Sequence, residues 1–297
     1  MERIALVTGA TSGIGKVTAR ALAQQGHRVV LLARDLRKAE DTAAEIRRVA
    51  GHDRVETLAC DLGSQAQIRR AAEEFKSRHD RLHVLVNNAG AIFMKHGLSQ
   101  NGIEQTFAVD HLAYFLLTQL LLEVLKSSAP ARVVNVASAV SMLGHIDFDD
   151  LELKRRYKGA RAYANAKLAN VLFSNELARR LGGTGVTSNA LHPGGVASRF
   201  GHNNAGIFTL AVKLLRPFLI SEEKGARTSI YLATSPEVEG VTGKYFVNRK
   251  PRRPPREALD ESVARRLWEE SARMTGIQLA LTEVNAGPDD TRREAST

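Results

Sequence analysis

Arg3-Ile-Ala-Leu-Val-Thr-Gly-Ala-Thr-Ser-Gly-Ile-Gly15 decides how the chain is read. Arg3 to Val7 is a short apolar strand, Thr8 to Gly15 a glycine-rich turn, and the residues to Gln25 a helical run stopped by Gly26. Strand, glycine turn and helix in that order aim backbone N–H groups and a helix N-terminus at a pyrophosphate. Gly9, Gly13 and Gly15 permit the tight turn and a close backbone approach, and Thr11, Ser12 and Ile14 fill the turn between them. Three glycines in a turn are a weak signal, but their place between strand and helix favours a dinucleotide site over an ordinary loop.

Working outward, Arg28 to Ala33 reads as a second strand, followed by Arg34, Arg37 and Lys38. An NAD site usually carries an acid at the end of this strand for the ribose hydroxyls. Here Asp35 is better read as the N-cap of the next helix, its carboxylate taken by backbone amides. A guanidinium at Arg34 suits a 2′-phosphate, so NADP (NADPH) is favoured over NAD. Val55 to Cys60 is a third strand ending at Asp61-Leu62. Asp61 could accept from an adenine amino group or cap the helix from Ser64, and both readings stay open. Leu82 to Val86 is a fourth strand, and Asn87, Asn88, Ala89 and Gly90 follow it as ordinary turn chemistry. Thr106 to Leu125 reads as one long apolar helix, and Arg132 to Val136 as a strand that delivers Ser138 at its carboxyl end, the edge where open parallel sheets bind ligands.

Tyr163 and Lys167 lie four residues apart in an Ala- and Leu-rich helical segment running to about Leu181, so they share a helix face. An ammonium close to a phenol favours the phenolate and would lower its pKa toward a range useful for proton transfer. The spacing alone fits a solvated helix face as well. Before this helix lies a polar insertion at about 142–160. After it come a strand from Gly185 to Leu191, His192-Pro-Gly-Gly-Val-Ala-Ser198, and Ile207 to Phe218, whose apolar residues fall on one helical face. That segment reads as a lid at about 199–220, with membrane-surface contact the secondary reading because Lys213 and Arg216 sit on it. Further on come a helix from Glu222 to Thr234, a closing strand from Lys244 to Val247, and a docking helix at about 258–275 carrying Trp268. Residues 285–297 read as a disordered tail. Strands and helices alternate with no linker between two cores, which argues for a single doubly wound α/β domain over 1–284.

Of the 297 residues, 43% are hydrophobic and 25% charged, as in an ordinary globular protein. Cys60 is the single cysteine, so no internal disulfide forms, and a reducing, cytoplasmic compartment is expected. No signal-peptide pattern opens the sequence, and the most apolar window, Leu112 to Leu125, is too short and too interrupted to span a bilayer. Net charge is +10, with 42 Lys and Arg against 32 Asp and Glu. Arg249-Lys-Pro-Arg-Arg-Pro-Pro-Arg256 concentrates five of those bases, yet no aromatic-interleaved nucleic-acid motif accompanies them, so no nucleic-acid partner is expected. The histidines show no ligand spacing, so no metal site is expected.

Together these pieces resemble the short-chain dehydrogenase/reductase family, and within it the retinol-dehydrogenase-like branch. Its motifs are matched by Thr8-Gly-x-x-x-Gly-x-Gly15, Asp61-Leu62, Asn87-Asn-Ala-Gly90, Ser138, Tyr163-x-x-x-Lys167 and Pro193-Gly-x-Val-x-Ser198. The long gap between Ser138 and Tyr163 and the run Leu168-Ala-Asn-Val-Leu-Phe173 resemble the retinol-dehydrogenase-like members. The resemblance implies a Rossmann-like domain, a mostly parallel sheet flanked by helices. It also implies an NADP-dependent oxidoreductase interconverting a hydrophobic aldehyde or ketone and its alcohol. Tyr163 would be the general acid/base, Ser138 a donor to the substrate oxygen, and Lys167 a partner of both Tyr163 and the nicotinamide ribose. The glycine turn, Arg34, Asp61, Leu62, Asn87 to Gly90, Pro193, Gly194, Val196 and Ser198 would contact the cofactor. One position departs from the family: Val109-Asp-His-Leu-Ala113 places Asp110 where the family usually has Asn. Asp110 keeps a backbone carbonyl and acceptor oxygens but lacks amide donors, so an altered proton relay at Lys167 is expected. A homo-oligomer is compatible with the apolar helices, which would serve a monomer's core equally.

Overall fold

The computed structural model describes residues 2–195 and 220–279. Eight strands form one sheet in the order β3-β2-β1-β4-β5-β6-β7-β8. They are β1 (Ile4–Thr8), β2 (Arg28–Ala33), β3 (Val55–Ala59), β4 (Val84–Asn87), β5 (Ala131–Val136), β6 (Val186–His192), β7 (Tyr245–Val247) and β8 (Lys250–Arg252). Every neighbouring pair is parallel except β7 and β8, which run antiparallel through Val247 and Lys250. The order reverses between β1 and β4, and a doubly wound sheet opens its ligand crevice at such a point, beyond the carboxyl ends of the strands.

Both faces of the sheet are covered, which is why its strands are apolar runs rather than alternating ones. Ala5 and Val7 of β1, with Val29 and Leu31 of β2, pack under α1 (Gly13–Gln24), α2 (Leu36–Ala50) and α8 (Glu222–Thr234). Leu6, Val30, Leu32 and Leu85 face the opposite layer, built from α3 (Gln65–Arg78), α5 (Ala113–Leu120), α7 (Gly159–Arg180) and α9 (Glu261–Thr275). Trp268 of α9 is buried there, its ring centroid 5.0 Å from that of Phe115 and 5.8 Å from that of Phe173, with the Arg180 guanidinium 4.7 Å away.

Two elements differ from the sequence expectation. The single helix expected over Thr106–Leu125 is divided into α4 (Gln105–Phe107), a π-turn over Ala108–Leu112, α5, and α6 (Leu122–Ser127). The Glu104 carboxylate starts this run by accepting from the N–H groups of Thr106 and Phe107, both at 2.8 Å. The π-turn inserts extra backbone at Asp110, and such bulges collect at functional sites. The second difference is β8, which lies in the basic, proline-containing stretch. Asn248 and Arg249 at φ 50° and 62° make the two-residue turn into it, the positive-φ geometry that matches strand twist.

Candidate active site

The loops after β1 and β4 are laced together where the sheet order reverses. The Thr8 hydroxyl accepts from the N–H groups of Asn88 and Ala89, both at 2.9 Å. The Asn88 side-chain amide returns to the Thr8 carbonyl at 2.8 Å. Gly9 sits at φ 65°, and a Cβ on Gly15 would collide with the Asn88 amide nitrogen and the Gly9 carbonyl, so close backbone approach requires glycine at both positions. α1 opens at Ser12, whose side chain does not cap it, and no acid occupies its first turn. The first-turn amides around Gly13, Ile14 and Gly15, with Thr11 and Ser12 half-buried beside them, therefore suit an anion.

Arg34 is exposed at the end of β2 and makes no ion pair among the described residues. Asp35 is the N-cap of α2, accepting from the Lys38 N–H at 3.1 Å, so its carboxylate is occupied within the helix. Asp61 does not cap α3; it closes the turn before that helix by accepting from the Gly63 N–H at 2.9 Å. Leu62 packs into the core. Asn87 is fully buried, and its amide donates to Asn135 Oδ1 at 2.9 Å and Thr118 Oγ1 at 3.1 Å. Asn135 continues to Ser188 at 3.2 Å, and Ser188 meets Ser174 at 3.0 Å. The Asn87 side chain is therefore part of a polar ladder across β4, β5 and β6, turned away from the crevice.

Ser138 lies just past β5, and its hydroxyl is close enough to the Tyr163 phenol, in the first turn and a half of α7, to pull on its ionisation. Gly144 brings the insertion against α7, where a Cβ would lie 2.6 Å from the Ala164 carbonyl and 2.8 Å from Leu168 Cβ. Asn165 accepts from the His145 N–H at 3.0 Å on the same face. The Lys167 ammonium is buried one turn below Tyr163, 5.4 Å from its ring centroid and 5.5 Å from that of Tyr114. Its partner is Asp110, 3.0 Å away and fully buried. Asp110 also accepts from the Ala91 N–H at 2.8 Å, and its backbone carbonyl accepts from the Asn170 amide at 2.8 Å. Asn170 in turn meets His111 at 3.3 Å, and His111 meets Ser271 of α9 at 2.9 Å.

These contacts set the ionisation of the site. Burial and the Asp110 carboxylate push the Tyr163 phenol well above its ordinary value, against a smaller pull from the Ser138 hydroxyl. The Lys167 ammonium near the phenol is itself paired with the Asp110 carboxylate. Burial pushes the Asp110 carboxyl up, while the Lys167 ammonium and the Ala91 N–H pull it down. His111 is lowered to about 4 by burial, so it is neutral at physiological pH.

His192 was not singled out from the sequence as a site residue, yet its Nδ1 accepts from the N–H groups of Ala139 at 3.0 Å and Gly194 at 3.4 Å. One imidazole thereby braces the loop after Ser138 against Pro193–Gly194, and the signal for it was its place immediately before Pro-Gly at a strand end. The Ile220 N–H donates to the Gly195 carbonyl at 2.8 Å. Val196, Ser198 and the segment read as a lid lie outside the described residues, apart from Ile220. Among the described residues no His, Cys, Asp and Glu side chains group as metal ligands, and no helix is long and apolar enough to cross a membrane.

The family model for short chain dehydrogenase matches residues 3–206. The chain belongs to that family. Within it the chain falls in the retinol-dehydrogenase-like branch: retinol dehydrogenase 12 of Mus musculus is 44% identical over 276 residues, covering 93% of this chain and 87% of that protein. Among solved structures, an uncharacterized protein from Mycobacterium Paratuberculosis superposes with a TM-score of 0.75 at 31% identity, covering 94% of this chain and 95% of the other. The Pseudomonas aeruginosa RhlG/NADP active-site complex is 31% identical with a TM-score of 0.65, over 82% of this chain and 93% of its own. As a short-chain dehydrogenase, the protein is an oxidoreductase acting on CH–OH groups, with a nicotinamide dinucleotide as the family's cofactor.

Proposed function

We propose that the protein is an NADP-dependent short-chain dehydrogenase that interconverts an apolar aldehyde or ketone and its alcohol. The juxtaposition of Ser138 and Tyr163 carries this reading, because it sets a hydroxyl from the sheet's carboxyl edge against a phenol on α7, beside the glycine turn. The nicotinamide, when bound, supplies or takes up the hydride. Ser138 then donates to the substrate oxygen and holds it at Tyr163, whose hydroxyl gives the proton in reduction and receives it in oxidation. The uncovered first turn of α1 suits the pyrophosphate, and Arg34 suits a 2′-phosphate that Asp35, already capping α2, would not bind. Relatives named as retinol dehydrogenases support an apolar substrate.

Purified protein with NADPH and a panel of aldehydes and ketones, retinaldehyde among them, should show loss of reduced-cofactor absorbance. Tyr163→Phe should lower kcat by about 10²–10⁴-fold while leaving NADPH affinity nearly unchanged. Arg34→Ala should weaken NADPH about tenfold or more and leave NADH almost unaffected, the loss of a charge-assisted contact being worth about 1.5–3 kcal/mol. Equal losses for the two cofactors would remove the 2′-phosphate assignment. NADPH binding without turnover on the whole panel would instead support a cofactor-binding role without chemistry.

A further inference from the structure

We propose that Asp110 is a positioning residue that holds the Lys167 ammonium and cancels its field at Tyr163. The inference rests on Tyr163 being the acid/base group, and it concerns how that group is kept in its proton-donating form.

The geometry around Asp110 is closed on every side. Its two oxygens have different tasks: Oδ1 accepts from the Ala91 N–H, and Oδ2 lies 3.0 Å from Lys167 Nζ. At that separation, with both groups buried, the two form a tight ion pair. Gly90 makes room for the pair, since a Cβ there would lie 2.9 Å from Lys167 Nζ and 3.0 Å from Asp110 Oδ2. The π-turn over Ala108–Leu112 carries Asp110, and Asn170 fixes its backbone carbonyl from α7. The other titratable groups facing it are Glu104 ahead of α4, His111 in the same π-turn, Tyr114 on α5, and Tyr163 and Lys167 on α7. His111 is neutral, and Glu104 is committed to capping α4, so Lys167 is the only cation among these groups.

An isolated ammonium at this distance from a phenol would stabilise the phenolate. Joined to a carboxylate, it presents Tyr163 with a neutral pair, and burial then dominates and keeps the phenol protonated. An amide in place of the Asp110 carboxylate would leave Lys167 as a lone charge. It would also point N–H donors at the ammonium unless the side chain turned its oxygen toward it. Reduction, which consumes the phenolic proton, would therefore run without a neutral-range limit from Tyr163. Oxidation, which needs the phenolate, would be confined to alkaline pH.

The test is made on the protein without cofactor, so it stands apart from whether any substrate turns over. Phenolate absorbance is followed against pH for wild type and for each variant, with and without Tyr163→Phe, so that the difference isolates Tyr163. Wild type should show no Tyr163 phenolate below the pH at which the chain unfolds. Asp110→Asn should bring a Tyr163 phenolate into the native range, at least tenfold more at any given pH, as removal of a screening charge within a few ångströms of the ammonium predicts. The double variant Asp110→Asn with Lys167→Met, neutral at both positions, should behave like wild type. Because it buries no unpaired charge, it also covers the case in which the single variant does not fold. Asp110→Asn titrating like wild type, or wild type yielding its own Tyr163 phenolate near neutral pH, would overturn the inference.

Discussion

At the scale of single residues, the site depends on what is absent as much as on what is present. Gly15 lacks a Cβ where one would meet the Asn88 amide and the Gly9 carbonyl. Backbone cannot yield there as a flexible side chain could, so Gly15→Ala should cost about 1–3 kcal/mol of stability. Thermal unfolding would measure that cost. Cofactor titration should show a larger loss, since Asn88 joins the loops after β1 and β4. Tyr163, Lys167, Ser138 and the glycines were legible in the sequence because motif and spacing report local geometry. Asn87 shows the limit of that reading. It belongs to the same motif as Asn88, yet strand alternation turns it to the opposite face, and only the partners at Thr118 and Asn135 reveal this.

At the scale of elements, positions are set by contacts between segments distant in sequence. His192 at the end of β6 accepts from Ala139, beside Ser138, across 53 residues of chain. His192→Ala should lower kcat about tenfold, the worth of one net hydrogen bond, with little change in cofactor affinity. An equal loss in both would mean that His192 supports the cofactor loop rather than Ser138. Burial lowers the His192 pKa, so the neutral ring accepts at physiological pH, and acid conditions should mimic the substitution. The strands were placed to within two residues from apolar runs and turn signals. The division of the helix expected over Thr106–Leu125 was not legible, because nothing in its apolar pattern distinguishes a π-turn from a continuing helix. β8 was hidden for a different reason: Lys250-Pro-Arg252 has neither strand propensity nor a buried side chain, and only its turn and its neighbour β7 make it a strand.

For the whole molecule, His111 ties the site to the fold. It lies between Asn170 of α7 and Ser271 of α9, and is held neutral with its pKa lowered to about 4. A folded value below the unfolded value of about 6.5 means that its contribution is complete above that pH and declines as pH falls toward 4. Denaturant unfolding between pH 7 and pH 4 should therefore show stability falling by up to about 1.4 kcal/mol per pH unit from this group alone. His111→Gln should flatten that part of the profile. His27 and His83, also lowered by burial, add to the slope in the same direction, so the variant should reduce it without abolishing it.

The closing strand of the sheet has a consequence of its own. A parallel sheet that ended at β7 would present unsatisfied backbone groups to any extended chain that came near, as the start of a fibril does. β8 takes that place with Lys250, Pro251 and Arg252, all exposed. Proline offers no amide hydrogen to a newcomer, and the two cations repel a second copy of themselves. Part of the chain's positive charge thus acts as a fence against self-association into ordered aggregates. Replacing Lys250 and Arg252 with Thr and Val should leave the crevice untouched yet make concentrated protein prone to aggregation, measurable as light scattering at constant catalytic activity per folded molecule.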